Sequence, residues 1–244
     1  YSFNLIPLGG YVSLLGENEA VKASGSYYSK SILQKIAIVG TGVVMNFLLA
    51  IVILAIGFTV GMTPLVSDPA TLTGQKTSEV MVAEVMPDSP AAGIGLEAGN
   101  ILEGFSTPAN LQEFTKSHKG QTVELKIKKD SKTENVPVKL ADSDEPLGVG
   151  VVSVTKVKQS FPRALVSATV EVGKSIAVVF EVLWSIITSL FTKGTAGEAG
   201  EGLVGPVGIY NFTASALKIG WVYVLQLMAI ISINLGIINI LPFP

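Results

Sequence analysis

The residues of this chain best suited to chemistry are amides set in an apolar run. Ser232, Asn234, Gly236, Asn239, Pro242 and Pro244 lie in Ser232-Ile-Asn-Leu-Gly-Ile-Ile-Asn-Ile-Leu-Pro-Phe-Pro244, which closes an uncharged stretch opening at Ile219. A stretch of that length suits a membrane-spanning helix, at ~1.5 Å per residue across a hydrocarbon core of ~30 Å. Pro242 has no N–H, so the carbonyl of Ile238 loses its helical partner, and Pro244 does the same to Ile240. Bare carbonyls and side-chain amides are costly in hydrocarbon and should face protein or a water-filled cavity. Ser232, Gly236 and Asn239 share one helical face by their i, i+4, i+7 spacing. A proline-capped helix end with packing amides is the structural alternative, and these residues alone leave both open.

Other chemistry is narrowed by composition. The chain has no Cys, which excludes disulfides and thiolate metal sites, and His118 is its one histidine. A catalytic zinc normally takes three protein ligands, commonly two or three of them His, so these residues are expected to supply no metal site and no catalytic residue of their own. Net charge is −2, giving no basic field for nucleic acid. Hydrophobic residues make up 48% and charged residues 15%, with a mean hydropathy of +0.53. That balance points to a membrane protein carrying a soluble insert.

The elements that must position the amides follow in chain order. Residues 1–15 are apolar but broken by Pro7 and by Gly9-Gly10 ahead of Tyr11, the signature of a short β-hairpin. Residues 16–35 are polar and read as a loop. Residues 36–62 form a transmembrane helix, with lysines before it and Asp68 after it, so its N-terminal end is expected in the cytoplasm. Gly42 and Asn46 share a face suited to close helix packing with an interhelical hydrogen bond. After a linker over 63–78, residues 79–155 read as a soluble α+β domain. Ser89 caps a short helix with Pro90 at its first position, and Asn110 with Glu113 is a capping box opening a helix over 111–119. Val123, Leu125 and Ile127, then Val136, Val138 and Leu140, alternate as a hairpin around Asp130-Ser131. Residues 161–192 carry one narrow polar stripe through Arg163, Ser167, Glu171, Lys174, Glu181, Ser185, Thr188 and Thr192. Spanning would bury Glu181 in hydrocarbon at ~2.5 kcal/mol or more, so an interfacial helix with a wet stripe is expected. A Gly-rich linker over 193–218 leads to the second span, 219–244.

SINLGIINILPFP, preceded by Gly205-Pro-Val-Gly-Ile209, resembles the RseP-type site-2 protease family, bacterial intramembrane zinc metalloproteases. IPLGGYV (residues 6–12) resembles that family's membrane-reentrant β-loop, GTGVVMNF its G-P-x-x-N-F with Val43 in place of Pro, and MPDSPAAGIGLEAGNIL a motif of its PDZ domain with Asn100 in place of Asp. The resemblance implies a multi-pass α-helical membrane protein with a re-entrant β-hairpin and an inserted PDZ domain. It implies substrate contacts at Gly9, Gly10, Tyr11, Asn239, Pro242 and Pro244. It also implies that zinc is bound in the intact protein by an HExxH motif and a Leu-Asp-Gly Asp expected outside residues 1–244, so that these residues alone hold no zinc and cleave nothing.

The expected activity of the intact protein is cleavage of transmembrane segments of membrane proteins, with the PDZ domain gating access. The expected setting is the bacterial inner membrane, the PDZ domain lying on the non-cytoplasmic side. Expected partners are transmembrane protein substrates, the lipid bilayer and a peptide or C-terminal ligand of the PDZ domain, with no nucleic acid. The alternative is a non-catalytic membrane-anchored PDZ adaptor. A transporter with a broken helix fits Pro242 but not the inserted domain.

Overall fold

The computed structural model describes residues 15–16, 23, 25–129, 132–193 and 206–240. Among these, three helices are long and apolar enough to cross a membrane: Ile32–Val60, Phe161–Thr192 and Trp221–Ile240. A five-stranded antiparallel sheet sits between the first and the second.

Helix α1, Ile32–Val60, begins four residues before the expected Ile36. Ser31 explains the difference. Its side chain accepts from Gln34 N while the Gln34 side chain accepts from Ser31 N, a reciprocal cap that satisfies two orphan donors. Lys35 thus falls in the first turn, its ammonium 5.1 Å from the Tyr27 ring centre and 5.8 Å from that of Tyr28, within reach of a cation–π attraction. Over 29 residues the helix runs about 43 Å, more than a bilayer core requires. Gly61 ends it with φ +115, a conformation open to glycine.

The sheet has the order β4-β3-β2-β1-β5. Its strands are β1 Gln75–Val85, β2 Ile101–Glu103, β3 Thr122–Lys129, β4 Lys132–Lys139 and β5 Val149–Lys158. β1 starts inside the expected linker because Gln75 pairs with Lys158 and the ladder runs on to Val85 with Val149. Val80, Val82, Leu102, Leu111, Leu125, Val138, Leu140 and Leu147 form the core of this domain. Helix α2, Pro90–Gly93, is capped by Ser89, whose hydroxyl accepts from Ala92 N at 3.2 Å. Helix α3, Pro108–Ser117, corrects the expected capping box: the cap is Thr107, accepting from Asn110 N at 3.3 Å. Pro108, with φ already set for a helix, starts α3 ahead of Asn110.

Gly148 anchors the turn into β5. Its φ is +71, and a Cβ there would overlap that of Ser89, while its carbonyl accepts from Met86 N at 3.0 Å. Gly148→Ala should therefore cost about 1–2 kcal/mol through left-handed strain and overlap. Urea unfolding followed through the sheet domain would check this, with an unchanged midpoint counting against it.

The domain is tied back to α1. Val157 N donates to Met62 O at 2.9 Å, and Gln159 N donates to Phe58 O at 2.8 Å. Helix α4, Phe161–Lys193, then crosses the end of α1, burying Ala164, Ala168 and Val172 at i, i+4, i+8 against a cluster that includes Leu54, Phe58 and Met62. Its polar stripe departs from the wet one expected. Glu171 is wholly buried, and its Oε1 accepts from Val66 N at 2.6 Å and Ser67 N at 3.1 Å. Lys174 Nζ donates to Ser67 Oγ at 3.1 Å. Glu171 and Lys174 thus tether the segment that follows α1, whereas Glu181, Ser185, Thr188 and Thr192 remain exposed. Helix α5, Pro206–Ile219, leads through Gly220 into α6, Trp221–Ile240, which packs along α1 through Ala229, Ile233 and Ile237.

Candidate functional site

The amide-bearing helix α6 meets α1 along one face. Ser232 Oγ donates to the Asn46 carbonyl at 3.0 Å, an interhelical bond of the kind that joins helices in lipid. Four residues on, Gly236 lies under the Phe47 ring, 2.6 Å from the place its Cβ would occupy. The close approach expected at Gly42 is found here instead. Gly42 is exposed, with nothing within 4 Å of a Cβ built on it, because α6 meets the face of α1 that carries Phe47 and Ala50. Asn46 serves the contact through its carbonyl.

Asn239, one turn beyond Gly236, is exposed near the C-terminal end of α6. It shares the face of Ser232 and Gly236 by spacing, but not their burial. Gly9, Gly10, Tyr11, Pro242 and Pro244 lie outside the described residues. Asn234 lines a recess of about 220 Å³ with Gln226, Ser175, Leu65, Val66 and Val178. Gln226 Nε2 donates to Thr63 O at 3.3 Å. The contribution of Ser175 and Gln226 was not apparent in the sequence. The i, i+4, i+8 spacing of Gln226, Ile230 and Asn234 was the available signal.

The sheet domain offers a second concavity. β5 lies at the edge of the sheet, paired with β1 alone among the described strands. Between β5 and α3 runs a groove of about 250 Å³, lined by Leu111, Thr115, Pro146, Leu147, Val149 and Val151 among others. The ion pair of Lys119 with Asp144, at 3.3 Å, lies beside it. An edge strand next to an apolar groove can accept an extended peptide by strand addition.

Among the described residues, the donors do not fit a zinc centre. His118, the chain's one histidine, caps α3. Its Nδ1 lies 2.8 Å from Phe114 O and 3.0 Å from Ser117 Oγ, and its ring packs on Phe114 with centres 4.5 Å apart. Among the described residues no three His, Cys, Asp or Glu side chains converge.

Comparison with known proteins supplies the context. The model of peptidase family M50 matches residues 1–244. A relative from Clostridium perfringens is 32% identical over 262 residues, a match covering 100% of this chain and 69% of that protein. Zinc metalloprotease RasP of Oceanobacillus iheyensis is 27% identical over 254 residues, covering 100% of this chain and 56% of its own. The regulator of sigma-W protease RasP of Bacillus subtilis is 29% identical over 228 residues, covering 88% of this chain and 49% of its own. Among solved structures, the PDZ domain of an SdrC-like protein from Listeria innocua is 32% identical, covering 31% of this chain and 92% of that one at a TM-score of 0.26.

Proposed function

The chain belongs to peptidase family M50, and from that membership we propose that it is the substrate-handling part of an intramembrane zinc metalloendopeptidase of the site-2 type. The match over residues 1–244 carries this reading. The work of this part is to hold a membrane-embedded substrate in a cleavable form.

The need for such holding is physical. A helical substrate hides its scissile carbonyl within its own i, i+4 hydrogen bonds, so it must be drawn out and its freed backbone groups satisfied. Asn239 and the carbonyls released by Pro242 and Pro244 provide donors and acceptors for an extended segment. Gly9, Gly10 and Tyr11 contact the same segment in this reading. The sheet domain is a PDZ domain on the non-cytoplasmic side of a bacterial plasma membrane. It gates access, and its α3–β5 groove takes a peptide or C-terminal segment.

The function is tested by co-expressing the intact protein with a tagged single-span membrane substrate. Cleavage within the span should stop on zinc chelation and return on adding zinc. A substrate left whole under all conditions, with the protein folded and zinc-loaded, would favour a non-catalytic adaptor.

The topology has its own test. With α4 lying on the membrane surface, Cys residues introduced at positions 131 and 195 should react with an impermeant reagent from the same side. The absence of native cysteine keeps the assay clean. Labelling from opposite sides would show that α4 spans.

A further inference from the structure

A recess lies where the sheet domain meets the membrane helices. It has a volume of about 550 Å³ and is lined by Gly74, Gln75, Lys158, Gln159, Ser160 and Arg163. Its depth in a bilayer follows from its neighbours. Gln159 N bonds to the Phe58 carbonyl, within the last turn of α1. At the same end of the bundle α6 opens with exposed Trp221, since Gln226 reaches Thr63 beyond α1. The exit of a long apolar helix beside a tryptophan marks the headgroup layer. That level holds whether α4 spans or lies flat, because Arg163 stands in its first turn.

The chemistry of the recess is uneven. Lys158 and Arg163 are exposed and, among the described residues, neither has an ion-pair partner. Gln159 is buried, its Nε2 donating to Thr73 O, while its Oε1 has no hydrogen-bond partner among the described residues. Gly74, at φ +141, closes the wall, since a Cβ there would strike the Lys158 carbonyl. Two cations without ion-pair partners among the described residues, lining one recess, suit an anionic ligand.

We propose that this recess binds the headgroup of an anionic phospholipid, Lys158 and Arg163 holding the phosphodiester. The site rests on α1 crossing a membrane and is independent of any proteolytic role. Arg and Lys both bind phosphate, and cations at the membrane surface attract anionic lipid.

The test uses the full chain in detergent, titrated with dioctanoyl phosphatidylglycerol and read by native mass spectrometry. One lipid per chain is expected, with dioctanoyl phosphatidylcholine, which carries no net negative charge, binding more weakly. The Lys158→Ala/Arg163→Ala double variant should bind about tenfold more weakly, and Lys158→Gln/Arg163→Gln, which keeps side-chain bulk, should match it. Lys132→Ala, in β4, should bind as the parent does. Undiminished binding in both double variants would overturn the site. Equal binding of glycerophosphoglycerol, the same headgroup without acyl chains, would make it a site for soluble phosphates and overturn the lipid assignment.

Discussion

Asn239→Leu in the intact protease should lower cleavage of a membrane substrate by about ten- to a hundredfold while leaving zinc content and fold unchanged. Leucine keeps the helix and its length of side chain but removes both hydrogen-bonding groups. A substrate backbone group left unpaired in a low-dielectric site costs about 1–3 kcal/mol, which is a factor of that size in rate. Asn239 is exposed near the end of α6, so its loss opens no cavity in the α1–α6 contact formed by Ala229, Ile233 and Ile237. The measurement is a cleavage time course alongside metal analysis and a melting curve. Parental cleavage would make Asn239 a bystander, and zinc loss would show that it acts on the metal site.

Glu171→Ala should have the largest effect on stability, about 3 kcal/mol. The carboxylate is wholly buried and accepts from two backbone N–H groups, those of Val66 and Ser67. Charge-assisted bonds of this kind contribute roughly 1.5–3 kcal/mol each, and deleting the acceptor leaves both donors bare. Glu171→Gln keeps one acceptor oxygen and should lose less than half as much. Unfolding in mixed micelles would rank the two. If Ala and Gln proved equally stable, the two hydrogen bonds would not be what holds α4 to the segment after α1.

Much of this architecture is legible in local pattern. The uncharged runs that become α1 and α6 are long, and the alternation at Val123, Leu125 and Ile127 reads directly as a half-buried strand. Ser31 with Gln34 is a local signal too, but Lys35 drew the expected boundary inward by looking like loop. β5 was harder to read. Val149–Lys158 lies beyond the segments read as the domain's hairpin, and its long-range ladder with β1 places it at the sheet edge. The role of Glu171 could not be read locally, because Val66 and Ser67 are more than a hundred positions away. Its place in a polar stripe suggested water. Gly42 and Gly236 make the same point for helix packing. Each is a small residue near a polar one, and only the tertiary arrangement decides which of them meets a ring.

Gln75 and Lys158 face each other across the first rung of the β1–β5 ladder, so the chain enters and leaves the sheet domain at one place. In evolutionary terms this is the geometry of a cassette. A module whose ends adjoin can be gained, lost or traded without pulling apart the helices on either side, since joining the stubs closes only a short loop. The membrane helices and the inserted domain can therefore follow separate histories, one constrained by the bilayer and the other free to diverge with whatever it meets outside.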